Sequence, residues 1–166
     1  MAKRRTPEYY RFPYDQLFYK IGMRHTLLEP DASGSFVGCS YCYATARDWA
    51  RFGLLYLNDG VWNGERLLPE GWVRWTASPS GIHNIEDFNG EYGAFWWVNT
   101  TGGRGSPAWR NLPDVPPDCF SCRGLDGQYI FVIPSKDLVV VKLSQDRRFQ
   151  DPNLMLYSLL KAFPVR

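Results

Sequence analysis

Residues 123–145 read RGLDGQYIFVIPSKDLVVVKLSQ, and this stretch decides the fold class. Gln128–Ile133 (QYIFVI) and Asp137–Leu143 (DLVVVKL) are runs rich in β-branched and aromatic side chains, which suit a pleated, half-buried strand. Pro134-Ser135-Lys136 lies between them. Proline fixes φ and cannot donate to a ladder, so these three residues are read as a turn. The two runs are expected to pair as an antiparallel hairpin. Upstream, Tyr92–Val98 (YGAFWWV) is a further strand candidate, and Cys119–Cys122 falls in another. The sequence between these two, 99–118, is rich in Gly, Pro and Arg; irregular connections of that length are usually functional or mobile.

Helical signals surround these strands. Thr45-Ala46-Arg47-Asp48 is a T-x-x-D start, with a hydroxyl to cap the helix and an acid in the first turn. Trp49, Phe52, Leu55 and Tyr56 then share one face, and Asn58-Asp59-Gly60 ends the run. Residues 7–22 read as a short helix behind Pro13, with Tyr14, Leu17, Phe18 and Ile21 at helical spacing and Gly22 as the cap. Residues 28–40 read as a loop, and 76–91 as another. Val61-Trp62-Asn63-Gly64 is a turn, and Pro69 opens a short helix through Trp75. In the tail, Asn153–Phe163 is a closing helix with Leu156, Leu159, Leu160 and Phe163 toward the sheet. Helices, then strands, then a helix give an α+β class. The expectation is an antiparallel sheet flanked by helices, in one domain over 1–166.

Composition narrows the function classes. Hydrophobic residues make up 45%, charged residues 22% and aromatics 16%, with seven Trp. Those values suit a globular protein and not a disordered one. The net charge is +2, and part of it sits in Lys3, Arg4 and Arg5. No basic stripe with interleaved aromatics is present, so no nucleic-acid partner is expected. No apolar run approaches the roughly 18–20 residues of a membrane span. No apolar segment of signal-peptide type follows the N-terminal basic residues. If the chain is part of a longer protein, that leaves the parent's compartment open, periplasmic and secreted locations included.

Three stretches together carry a family resemblance. They are LFYKIGMRHTLLEPDASGSFVG (17–38), YATARDWARFGLLYLNDGVWNGERLLPEGWV (43–73) and the opening stretch at 123–145. In order and spacing they resemble the β-lactamase-related serine hydrolases, which include class C β-lactamases, penicillin-recognising esterases and 6-aminohexanoate-dimer hydrolases. The resemblance implies part of a β-lactamase/transpeptidase-like fold. Such enzymes use an S-x-x-K serine as nucleophile, a Y-x-N tyrosine as proton relay, and K-T-G or H-x-G on a strand to hold the substrate and donate to the oxyanion. The third element maps onto Gly124-Leu125-Asp126-Gly127-Gln128. Gly127 would let the substrate approach the backbone, and the Gln128 N–H would donate to the oxyanion. Leu125 stands where His or Lys is usual and cannot bind a carboxylate, which favours an ester- or amide-type ligand over a β-lactam. Trp96 and Trp97 are candidates to line the pocket, although most of the tryptophans are expected to be core anchors. No cofactor is implied.

The other two elements are expected outside this sequence. The only S-x-x-K is Ser158-Leu159-Leu160-Lys161, late in the last helix, and the only Y-x-N is Tyr56-Leu57-Asn58, at the end of another. Neither position suits the chemistry, so no catalytic residue is assigned within the chain. His25 and His83 have no partner at triad or metal spacing. The chain is therefore expected to be the C-terminal part of a serine hydrolase, inactive by itself and prone to homo-oligomerisation through an unpaired strand edge. A non-catalytic binding or structural protein on the same scaffold is the alternative.

Four cysteines leave further readings open. Cys39 and Cys42 form one C-x-x-C pair, Cys119 and Cys122 another. Far more residues separate the pairs than the roughly 15–20 of a zinc ribbon. In a strand, residues 119 and 122 face opposite sides. The readings are free thiols acting as small hydrophobes, disulfides formed in an oxidising compartment, or a four-thiolate metal module.

Overall fold

A computed structural model describes residues 6–79, 92–100, 110–145 and 151–163. The chain begins with helix α1 (Pro7–Pro13), which Thr6 caps by accepting from the Tyr9 amide. Pro13 lies inside this helix and does not open one as expected; Pro7 takes the first position, where a missing N–H costs nothing. Past Pro13 the coil widens into a π turn over Tyr14–Phe18, in which the Tyr19 amide reaches back to Tyr14. Gly22 ends the segment in the left-handed region.

The loop expected at 28–40 is irregular as read, and a small ladder flanks it. Strand β1 (Thr26–Leu28) pairs antiparallel with β2 (Cys42–Ala44), and Pro30 bridges Phe36 inside the connection. Helix α2 (Ala46–Leu57) follows, and the Thr45 hydroxyl accepts from the Asp48 amide as the T-x-x-D signal requires. Strands β3 (Val61–Trp62) and β4 (Glu65–Arg66) form a two-residue hairpin around Asn63 and Gly64, both at positive φ. Helix α3 is shorter than expected, Trp72–Thr76, because Gly71 takes a left-handed conformation that cannot belong to the helix. Trp72 and Trp75, expected as core anchors, are exposed on it.

The main sheet has four antiparallel strands in the order β5 (Trp97–Val98), β6 (Phe120–Gly124), β7 (Gln128–Ile133) and β8 (Leu138–Lys142). The expected hairpin is thus β7–β8, closed by Pro134–Lys136 and a left-handed Asp137. The strand expected over Tyr92–Val98 shrinks to its last two residues. Phe95 adopts φ 66°, and the chain doubles back so that Tyr92 bridges Trp97 and the Gly93 amide donates to the Trp96 carbonyl.

Helices cover both faces of this sheet. Strand alternation sends Val98, Phe120, Ile130, Val132 and Val139 toward α2 and α3. It sends Phe131, Ile133, Leu138 and Val140 to the other face, against helix α4 (Pro152–Ala162) and the 112–119 segment. On α2, Gly53 makes the close approach possible: a Cβ there would lie 2.6 Å from Val139 Cγ1. A third cluster, Phe18, Ile21, Met23 and Leu55, joins the N-terminal segment to α2, with Phe52 touching it and the sheet-side cluster alike. In α4, Leu156 is fully buried, but Phe163, expected to face the sheet, is 67% exposed because the helix has ended before it.

Candidate functional site

The site read from the sequence falls on the turn between β6 and β7. Gly124 pairs with Gln128, leaving Leu125, Asp126 and Gly127 as the loop. Asp126 and Gly127 both hold positive φ, 59° and 77°. At Gly127 the lack of a Cβ makes that conformation cheap. Two side chains clamp the turn. Gln128 Nε2 donates to the Leu125 carbonyl at 3.1 Å, and Lys142 Nζ donates to the Gly127 carbonyl at 3.0 Å. Leu125 is 69% exposed.

The sheet face beside this turn is cationic and aromatic. Arg123 pairs with Tyr129 across the ladder, and Tyr129 with Lys142, so the three share one face. The Arg123 guanidinium lies 4.6 Å from the Trp97 ring centroid, the geometry of a cation–π contact. Its Nε also donates to Ser121 Oγ at 3.4 Å. With its amide oxygen turned toward Arg123, Asn111 accepts from both terminal nitrogens. Tyr92 packs edge-on against Trp97 at 5.1 Å. Sequence reading assigned no role to Arg123; the period-two alternation that places it on the face of Trp97 was the available signal.

The two candidate tryptophans part company. Trp96 is a core residue, stacked on Phe52 and packed against Tyr56 and Phe120. Trp97 reaches the face of Arg123. Ser158 is exposed on α4 and its Oγ donates to the Leu154 carbonyl of the preceding turn, 2.8 Å away. Lys161 instead lies over the Tyr157 ring. Tyr56 is buried and Asn58 caps the end of α2. His25 sits beside Asp48, and His83 lies outside the described residues.

The cysteines do not assemble. Cys119 packs on the α4 face and Cys122 against the α2 face, the divergence that strand alternation demands. Cys42 packs with the third cluster and Cys39 is exposed. All four are free thiols, and among the described residues no three His, Cys, Asp or Glu side chains are grouped to hold a metal. Burial pushes the Cys42 thiol up to about 11 and the Cys122 thiol up to about 12. Cys119 also reaches about 12, chiefly through burial, with Asp118 adding and Arg123 opposing. Burial, then the nearby Cys122 and Cys39, raises Tyr92. Such thiols are poor nucleophiles and poor metal ligands at neutral pH. No helix among the described residues is long and apolar enough to cross a membrane.

Known proteins are similar over most of the chain. A 6-aminohexanoate-dimer hydrolase from Paenarthrobacter ureafaciens is 32% identical over 107 residues, covering 60% of this chain and 24% of that protein. An uncharacterized protein from Alkalihalophilus pseudofirmus is 25% identical over 100 residues, covering 60% of this chain and 29% of that one. The chain thus spans about a quarter of the length of these curated relatives. Among solved structures, a β-lactamase from Mycobacterium bovis superposes with a TM-score of 0.61 at 18% identity, covering 94% of this chain and 56% of that one. A protein from Bacillus anthracis, described as a candidate 6-aminohexanoate-dimer hydrolase, gives 0.60 at 24% identity over 91% of this chain and 36% of its own. These two likenesses establish the fold. The Beta-lactamase family profile matches residues 2–162, and the chain belongs to that family.

Proposed function

We propose that these residues supply the substrate-strand half of a serine acyl-transfer hydrolase acting on esters or amides, with the nucleophile provided by sequence outside 1–166. The observation that carries the reading is the clamped Gly124–Gln128 turn within a chain matched by the family profile. In this reading the Gln128 N–H faces the oxyanion and Gly127 leaves room for the scissile group. An exposed leucine at 125 favours an uncharged acyl compound, since it offers no donor to a carboxylate. The relative named as a 6-aminohexanoate-dimer hydrolase supports a hydrolytic reading.

The 166-residue chain is expected to stay unlabelled by a fluorophosphonate probe and to leave p-nitrophenyl esters intact. A stoichiometric serine adduct, read by mass spectrometry, would overturn the proposal. Where the reading frame extends upstream into an S-x-x-K segment, Gly127→Val in the longer polypeptide should lower kcat about 100-fold or more. Unchanged turnover there removes the turn from the site.

The same reading includes a partner. Among the described residues β8 has a neighbouring strand on one side only, and its five half-buried residues carry four apolar side chains. Such an edge pairs readily with a second copy. Sedimentation equilibrium is expected to give a dimer or higher state; a concentration-independent monomer rejects this.

A further inference from the structure

We propose a second binding site, for a small phosphate-type oxyanion, in the cleft between the Gly22–His25 segment and the first turns of α2. The cleft measures about 510 Å³, within the roughly 300–1,000 Å³ of small-molecule pockets. Arg24, His25, Arg47 and Arg51 line it, together with Thr45 and Asp48. It shares no residue with the Gly124–Gln128 turn.

Its charge is out of balance. Asp48 is the single carboxylate in the lining and is 1% exposed. Both of its oxygens are committed. Oδ1 accepts from Arg51 Nη1 at 2.9 Å, and Oδ2 accepts from the His25 amide at 2.7 Å and lies 3.8 Å from His25 Nδ1. Arg24 and Arg47 have no side-chain ion pair or hydrogen bond to any described residue. One carboxylate therefore shares the cleft with three arginines, two of them without a side-chain partner among the described residues.

Asp48 has a definite job in this arrangement. Buried and doubly bonded, it fixes Arg51 and the 22–25 segment relative to each other and so sets the width of the cleft. Three like charges lining one cleft disfavour one another, and an anion among them relieves this. Planar guanidinium forks match the oxygens of phosphate better than they match a point charge, and they bind it in pairs. A tetrahedral dianion can engage three forks at once, which a monocarboxylate cannot. The cleft has room for an organic group on the phosphate as well.

Calorimetric titration of the 166-residue chain tests this, with inorganic phosphate, phenyl phosphate and acetate as probes. Saturable one-to-one binding of phosphate is expected, weaker at high salt. Arg24→Gln and Arg47→Gln should each weaken it about tenfold, the loss of one charge-assisted contact. Both residues are exposed, so each variant is expected to fold, and either one alone decides the matter. Arg74→Gln, on α3 and away from the cleft, should leave binding unchanged. Tighter binding of phenyl phosphate assigns the site to a phosphate monoester; equal binding assigns it to free phosphate, and both support the proposal. No saturable binding, an equal loss in Arg74→Gln, or acetate binding as tight as phosphate would each overturn it.

Discussion

The two ends of β7 obey different rules. From Ile130 to Ile133 the strand is enclosed between α2 and α4, with Phe131 and Val132 wholly shielded from solvent. A few residues earlier, at the turn before Gln128, the chain runs through positive-φ positions and presents Leu125 to solvent. One end is held by apolar packing on both faces. The other is held by two hydrogen bonds from Gln128 and Lys142. The contrast teaches where stability and presentation are separated: a rigid strand carries a tip whose side chain can change without disturbing the core.

Thiol chemistry gives the widest separation between enclosed and exposed parts of the molecule. With thiols pushed up to about 12, Cys119 and Cys122 should be ionised to roughly one part in ten thousand at pH 8. An aromatic disulfide reagent is therefore expected to titrate Cys39 quickly in the native protein, and Cys42, Cys119 and Cys122 only after urea is added. Rapid reaction of all four would break the contrast. The same burial sets a pH dependence. The unfolded chain begins to ionise its thiols near about 8.5 while the folded chain keeps them protonated. Stability should thus be lost as pH rises from about 8.5 toward 12, seen as a falling urea midpoint.

Truncation of the enclosed end comes next in size. Phe131→Ala removes a fully buried ring that stacks on Tyr129 and touches the α4 cluster. The expected cost is about 3–5 kcal/mol by urea denaturation. A loss below about 1 kcal/mol would mean that α4 does not seal this face. At the exposed end, Leu125→Ala should change stability by less than about 0.5 kcal/mol in the same measurement. A larger loss would show that the tip is part of the core after all.

What the sequence disclosed follows the same division. The β7–β8 hairpin was legible because period-two runs flank a Pro-Ser-Lys turn, and α2 because Thr45 and Asp48 mark its start. The splitting of Cys119 from Cys122 followed from strand alternation alone. Tyr92–Trp96 was misread because its apolar letters resemble a strand, while the left-handed Phe95 that folds it back leaves no mark in composition. Pro69 looked like a helix start until Gly71 took a left-handed conformation of its own. Residues brought together from far apart were invisible. Neither the meeting of Arg24 with Arg47 and Arg51 nor the contact of Arg123 with Trp97 has a local signal, since each depends on the folded arrangement of separate segments.

Helix α2 has one further consequence. Phe52 and Leu68 touch both the sheet-side cluster and the N-terminal cluster, and Leu55 closes the latter from the same helix. The two apolar clusters are thus joined through Phe52 on α2 and through Leu68 beyond it. Losing either cluster would strip α2 of part of its packing, so amide exchange is expected to show β1 and β7 opening together; protection of β7 that persists after β1 has exchanged would contradict this.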